Sequence, residues 1–331
     1  MAMNTLLRPL GTTEIFITPI ILGAWALGGW MWGGCDEQDS IGTIRAALDA
    51  GINCIDTAAV YAQGYSEELV GRAIKDIPRD QVIIATKCGR RWDDPEQRGS
   101  NALETLDRTG SPITIRSNSR ADSIVFECEQ SLKRLSTTYI DLFQIHWPDL
   151  TTPLEESLAA MDRLRREGKI RAVGVSNFNI DLLKQAAAII PPASIQPPYS
   201  LLRRDMERDI MPFCVDQHIS ILAYSPLERG LLTGSVTPDR QFAPGDHRIK
   251  HKLFDAANRR KVMSSLEKIR PIADKYAASL AQVVLNWTIA QPGVTAAIAG
   301  ARNPHQAGHN AGAMAFELTE EDIRHVRAAF E

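Results

Sequence analysis

Several things are missing from this sequence. Its five cysteines, at positions 35, 54, 88, 128 and 214, are odd in number and scattered, with no Cys-x-x-Cys pair. A disulfide framework or a cysteine-built zinc site is therefore excluded as the organising device, and no metal is expected. Charge of one sign is missing too. Thirty-seven Lys and Arg stand against 40 Asp and Glu, a net charge of -3, so the basic excess of a dedicated nucleic-acid binder is absent. The apolar stretch 19–34 falls short of the roughly 20 residues of a membrane span, and five glycines interrupt it. The first ten residues contain no basic region leading into a long apolar segment and cleavage site, so a cytoplasmic protein that binds neither membrane nor nucleic acid is expected.

What is present is ordinary for a soluble globular chain: 331 residues, 44% hydrophobic and 23% charged, enough to bury a sizeable core. From Ile20 onward, short runs rich in Ile and Val alternate with longer amphipathic segments, the pattern of successive βα units. Strands are expected near 20–25, 52–57, 82–87, 139–146, 170–176, 194–199, 219–225 and 294–299. Eight units without a linker-like break favour one closed (β/α)8 TIM barrel over residues 1–331 rather than an open doubly wound sheet. Gly11-Thr12-Thr13 between apolar flanks reads as a small N-terminal hairpin covering the barrel bottom.

The helices carry punctuation. Asp36 and Ser66 are expected N-caps, Thr152-Pro153-Leu154-Glu155 an expected capping box, and Gly168 the end of the helix that follows. Two extra helices are expected near 258–276 and 319–331. Long loops at 88–118 and 226–257 follow strands three and seven, which in a barrel puts them on the active-site face.

Asp56, Lys87 and His146 end strands two, three and four, and Tyr61 lies just beyond Asp56. Alternation along the strands places Asp56 and Lys87 on faces otherwise occupied by uncharged residues. Singly, each has a structural role available: a turn cap, a snorkelling lysine, a loop aromatic, a satisfied core histidine. Together they compose an acid. An ammonium beside a phenol stabilises the phenolate and is expected to lower the Tyr61 pKa; Asp56 would keep Lys87 charged, and a neutral His146 could donate to a substrate oxygen.

The residues Ile55-Asp56-Thr57-Ala58-Ala59-Val60-Tyr61, with Glu67-Glu68-Leu69-Val70-Gly71, Thr86-Lys87 and Asp141-Leu142-Phe143-Gln144-Ile145-His146-Trp147, resemble the aldo-keto reductase signature. The ordered match continues through Gly174-Val175-Ser176-Asn177-Phe178, Tyr224-Ser225-Pro226-Leu227, Gly230-Leu231-Leu232-Thr233-Gly234 and Ile298-Ala299-Gly300-Ala301-Arg302. That resemblance implies a barrel that reduces a small aldehyde or ketone with a nicotinamide cofactor and has no Rossmann domain. Consistently, no Gly-x-Gly-x-x-Gly opens a helix after a strand.

It further implies Asp56, Tyr61, Lys87 and His146 as the catalytic set, and Trp25, Tyr61, His146 and Trp147 at the substrate. Ala24, Trp25 and Asp56 would lie beside the cofactor, Ser176, Asn177 and Gln196 would hold its carboxamide, and Tyr224 would stack on its ring. Backbone amides from Ser225 through Pro226 and Leu227 to Gly230 form the stretch assigned to the pyrophosphate. Asn303-Pro304-His305-Gln306 reads as a capping box with proline at the first helical position. At that helix start, Gly300, Arg302, Gln306 and Asn310 are expected near the adenosine end, with Arg302 on the 2'-phosphate of NADP, so that NADPH is preferred over NADH. Trp30, Met31 and Trp32 extend the wall or cover the barrel top, and Cys88 is an inert thiol unless exposed. Two other readings stay open: a redox-sensing or regulatory subunit that turns over slowly, and a non-redox barrel acting on a phosphorylated metabolite. The sequence is silent on oligomeric state.

Overall fold

A computed structural model describes residues 7–331. Eight parallel strands close into a barrel: β1 (Ile20–Gly23), β2 (Cys54–Asp56), β3 (Ile83–Cys88), β4 (Ile140–Ile145), β5 (Ile170–Ser176), β6 (Ser194–Gln196), β7 (Ser220–Tyr224) and β8 (Val294–Gly300). Each pairs with its sequence neighbour, and β8 returns to β1. All eight lie within the expected spans or one residue beyond them, and helices surround the sheet.

Alternation decides what faces where. Ile21, Cys54, Ile83, Ala85, Leu142, Leu222 and Ile298 fill the interior, while Ile20, Leu22, Ile55, Ile84, Phe143 and Val175 pack outward in the main core. Asp56 lies two residues past Cys54, and Lys87 two past Ala85, so both charges ride the interior face to its C-terminal rim. The other rim is closed by the expected hairpin, Arg8–Pro9 paired with Phe16–Ile17, which drives Leu10, Ile15 and Ile17 into the interior cluster. Gly11 at its turn has φ +57°, and a Cβ there would meet the Ala193 carbonyl at 2.5 Å, so the plug fits only with glycine.

The structure corrects several local expectations. Asp36 caps its helix, but Ser66 lies inside the helix Tyr65–Ile74, whose N-cap is Gly64, and its hydroxyl instead ties Thr57 to the Ala24 carbonyl. Thr152 bonds Asp149 rather than the helix Leu154–Arg166, which starts after Pro153 without a side-chain cap. The helix expected at 258–276 is two, Ala256–Lys268 and Arg270–Lys275, divided just before Pro271, which cannot donate a backbone bond. The segment 88–118 is not a plain loop. It folds into a three-stranded antiparallel sheet of Arg90–Arg91, Ser100–Leu106 and Pro112–Ser117. The segment 226–257 has no strand and runs through short 3-10 turns at Glu228–Thr233, His247–Lys250 and Lys252–Phe254.

Both long segments are anchored to the loop after β1. Trp30 Nε1 donates to the Leu106 carbonyl at 2.7 Å, and His247 Nδ1 bonds the Met31 carbonyl at 2.8 Å.

Candidate functional site

A cavity of about 700 Å³ opens at the C-terminal rim, between these two segments. At its floor, Lys87 Nζ donates to Asp56 Oδ1 at 2.6 Å and to the Thr57 carbonyl at 2.8 Å, and stands 3.5 Å from the Tyr61 hydroxyl. The Lys87 side chain is fully buried, so its charge depends on this pairing. Burial alone would lower the Lys87 pKa, but Asp56 and Tyr61 more than offset it, and the ammonium is held above its ordinary value. His146 meets Tyr61 edge-on, with ring centroids 5.6 Å apart. Its Nδ1 is buried without a partner, and burial, with the charges of Lys87 and Arg90, holds its pKa well below the usual range, so the imidazole is neutral.

For Tyr61 the balance differs from the expectation. Burial pushes the phenol up more strongly than Lys87 pulls it down, and Asp56 adds to the rise. The net direction is upward: Tyr61 keeps its proton at neutral pH, with the Lys87 ammonium beside its hydroxyl.

The other expected residues divide in two. Trp25, Trp147, Ser176, Asn177, Gln196, Tyr224, Ser225, Pro226, Leu227 and Gly230 all line the cavity, as do Gly300, Arg302, Gln306 and Asn310. Ala24 does not. It is fully buried beneath the rim, where its amide bonds the Asp56 carbonyl and its own carbonyl accepts from Ser66.

Gln196 Nε2 donates to Asp56 Oδ2 at 2.8 Å, leaving its carbonyl oxygen for a ligand donor. Asn177, at φ +60°, is committed within the protein: its amide donates to the His146 carbonyl and to Ser176, and its oxygen accepts from the Tyr224 hydroxyl at 2.9 Å. That last bond pins the Tyr224 ring beside the cavity. Of the backbone amides assigned to a pyrophosphate, that of Gly230 is taken by the Leu227 carbonyl, and Pro226 has none.

The sequence reading missed Arg229, whose Nε and Nη1 are buried at the cavity without partners and whose guanidinium lies 6.0 Å from the Trp25 ring. The signal was a lone arginine inside a glycine-flanked turn. Unpartnered guanidinium N–H groups, next to a pinned aromatic face and a free amide oxygen, are the donors and acceptor a dinucleotide requires. At the far end Asn303 caps the helix Pro304–Ala311. Gln306 returns its side chain to the amide of Arg302, one residue earlier than the expected box. Arg302 pairs with no acid and donates to the Gly34 carbonyl at 2.8 Å.

Behind the site, buried Glu127 accepts from the Gly89 amide at 2.9 Å, while its second oxygen has no partner. Burial pushes this carboxyl up to about 8. The native state therefore holds a proton that the unfolded chain releases near 4.5, so stability falls as pH rises from there through 8. A difference of that size corresponds to roughly 3–5 kcal/mol. Glu127→Gln is expected to flatten this slope: thermal melts at pH 5.5 and 8.5 should differ less for the variant than for the parent. Cys88 is buried beside it and pushed well above its ordinary pKa by burial, so it is not poised for oxidation. Among the described residues, no group of three or more His, Cys, Asp or Glu is arranged to hold a metal, and no helix is long and apolar enough to cross a membrane.

A closed parallel barrel thus carries a buried Asp56–Lys87 pair with half-buried Tyr61 and His146 at its mouth, an arrangement suited to proton transfer. The aldo/keto reductase family model matches residues 19–331, and the chain belongs to that family. It is 42% identical over 321 residues to aldo-keto reductase YhdN of Bacillus subtilis, covering 96% of this chain and 92% of that one. It is 38% identical over 328 residues to an NADH-specific methylglyoxal reductase of Escherichia coli, covering 98% of each. The structure of glycerol dehydrogenase AKR11B4 from Gluconobacter oxydans superposes with a TM-score of 0.86 at 38% identity, covering 99% of this chain and 95% of that one. Enzymes of the family are oxidoreductases that use nicotinamide cofactors.

Proposed function

We propose that the protein reduces an aldehyde or ketone to the alcohol with NADPH, Tyr61 delivering the proton. The observation that carries this reading is Lys87, placed between Asp56 at 2.6 Å and the Tyr61 hydroxyl at 3.5 Å in a fully buried position. The reduced nicotinamide would supply the hydride. Gln196, Tyr224 and Arg229 are the residues suited to hold that cofactor.

Tyr61 and neutral His146 would orient the carbonyl oxygen, and as negative charge grows there the Tyr61 proton follows it. Lys87 stabilises the phenolate left behind, and Asp56 keeps Lys87 from losing its own proton instead. Trp25 and Trp147 flank the space where the substrate would sit and limit water beside the reacting atoms. Oxidation of NADPH in the presence of a small panel of aldehydes tests the reading. Rapid turnover is expected; tight cofactor binding with negligible turnover would favour a sensing subunit instead.

The cofactor choice is a separate claim. Arg302 lines the adenosine end, half-exposed and without an acidic partner, which suits a 2'-phosphate, although one relative is NADH-specific. Arg302→Ala is expected to weaken NADPH about ten- to a hundredfold and NADH within about threefold, with the difference shrinking in salt. Titrating both cofactors at two ionic strengths checks it. Equal losses for the two would remove Arg302 from the phosphate.

A further inference from the structure

Arg90 is left over by the mechanism. It sits two residues past the end of β3, lines the cavity, and carries enough charge at His146 to help hold that imidazole neutral. Its side chain donates through Nη1 to the Asn101 carbonyl and to Ser117 Oγ, both at 3.2 Å and both uncharged. Among the described residues, no carboxylate lies within ion-pair distance of it. The contrast with its neighbours is informative: Arg91 is paired with Asp93 at 2.6 Å, and Arg248, also on the cavity, with Asp246 at 2.6 Å. Burial lowers the Arg90 pKa and no acid raises it. A half-buried guanidinium without a counterion costs free energy that a surface arginine would avoid.

Its surroundings make the charge conspicuous. Trp30, Leu103, Ile115 and Trp147 line the same cavity, and Leu103 and Ile115 face each other on the hairpin whose Ser117 it bonds. Topology separates it from the cations suited to the cofactor: β3 is four strands around the barrel from β7, so Arg90 and Arg229 stand on opposite sides of the mouth. Tyr61 and His146, which follow β2 and β4, flank the Arg90 side.

We propose that Arg90 recognises the anionic end of the substrate, so that the enzyme selects carbonyl compounds bearing a carboxylate or phosphate at a distance from the reacting carbon. The inference rests on the reductase reading of the same site. A planar fork with its Nε and second amino group uncommitted can take either anion in two parallel hydrogen bonds, and the apolar side chains of the same cavity offer it no competing acceptor.

The test compares matched substrates: 4-carboxybenzaldehyde against 4-formylbenzamide, and glyceraldehyde 3-phosphate against glyceraldehyde, each with both nicotinamide cofactors. The wild type is expected to show the lower KM for the charged member of at least one pair, and the pair that responds identifies the anion. Arg90→Met should raise that KM about ten- to a hundredfold, with kcat and the constants for the neutral member within about threefold. Arg90→Lys should recover part of the loss. Arg90→Gln, which keeps a donor for Asn101 and Ser117, should behave as Arg90→Met does. Equal rises in KM for charged and neutral members would overturn the proposal and leave Arg90 as a clamp on the Ser100–Ser117 hairpin.

Absence of turnover with all four compounds would instead contradict the reductase reading. Arg90 is then judged by tryptophan fluorescence, for which Trp25, Trp30 and Trp147 on the cavity are reporters. Quenching by 4-(hydroxymethyl)benzoate should saturate for the wild type and be at least tenfold weaker for Arg90→Met. No difference between them would overturn the proposal on its own terms.

Discussion

Tyr61→Phe is expected to lower kcat/KM for any carbonyl substrate by about 10²- to 10⁴-fold, the range general acids contribute, while NADPH affinity stays within about threefold. Selectivity for the chemical step follows from the contacts. Among the described residues the Tyr61 hydroxyl has one hydrogen-bond partner, Lys87 at 3.5 Å, and the ring keeps its packing against His146 and Trp25 when the oxygen is removed. The fold should therefore lose little, and thermal melts of parent and variant should nearly coincide. Because burial holds the phenol above its ordinary pKa, the wild-type donor remains protonated through neutral pH. Turnover should then be insensitive to pH across that range and fall only on the alkaline side. Wild-type turnover by the purified phenylalanine variant would remove Tyr61 as the acid.

Lys87→Met should be comparably damaging to rate and far worse for stability. It strips Asp56 of the ammonium at 2.6 Å and leaves a buried carboxylate held only by Gln196 Nε2 among side-chain donors. Breaking a buried pair from one side typically costs about 3–5 kcal/mol. A phenolate formed on Tyr61 would also lose the cation beside it. A double variant separates the two effects. Asp56→Asn combined with Lys87→Met removes both charges and should regain most of the stability, measured by denaturant unfolding, yet none of the turnover. A folded single variant with normal turnover would contradict the assigned role of Lys87, and a double variant as unstable as the single would show that charge is not what the lysine supplies.

The barrel was readable because its strands are runs of Ile and Val whose period of two sorts interior from exterior, and that parity alone placed Asp56 and Lys87 inside. The hairpin within 88–118 was not read as strands. Ser100–Leu106 is largely exposed, Leu103 and Leu106 included, so no buried face marks its period, and in Pro112–Ser117 only Ile115 and Ser117 are buried, an alternation too short to announce a strand. The turn itself did carry a signal, for Asp107 accepts from the amides of Thr109 and Ser111 just around Gly110. The direction of the Tyr61 pKa was beyond sequence reasoning for a related reason. A neighbouring ammonium can be inferred from motif spacing, but the depth of burial is set by how the chain closes over the rim. Arg229 escaped because its significance lies in partners it does not have.

The short loop after β1 is tied on one side to the hairpin through Trp30 and on the other to the 226–257 segment through Met31, and Arg302 reaches its Gly34 carbonyl. On the proposed reading it is a shared abutment for two segments, one beside the carbonyl compound and the other beside the cofactor. A substitution chosen there to widen the range of carbonyl compounds would also alter how firmly Arg302 and the opposite segment are seated. Any coupling between two bound ligands through such an abutment is reciprocal: the factor by which one changes the other's affinity is the factor it receives in return. Selection for a new substrate in this barrel would therefore also act on its cofactor preference.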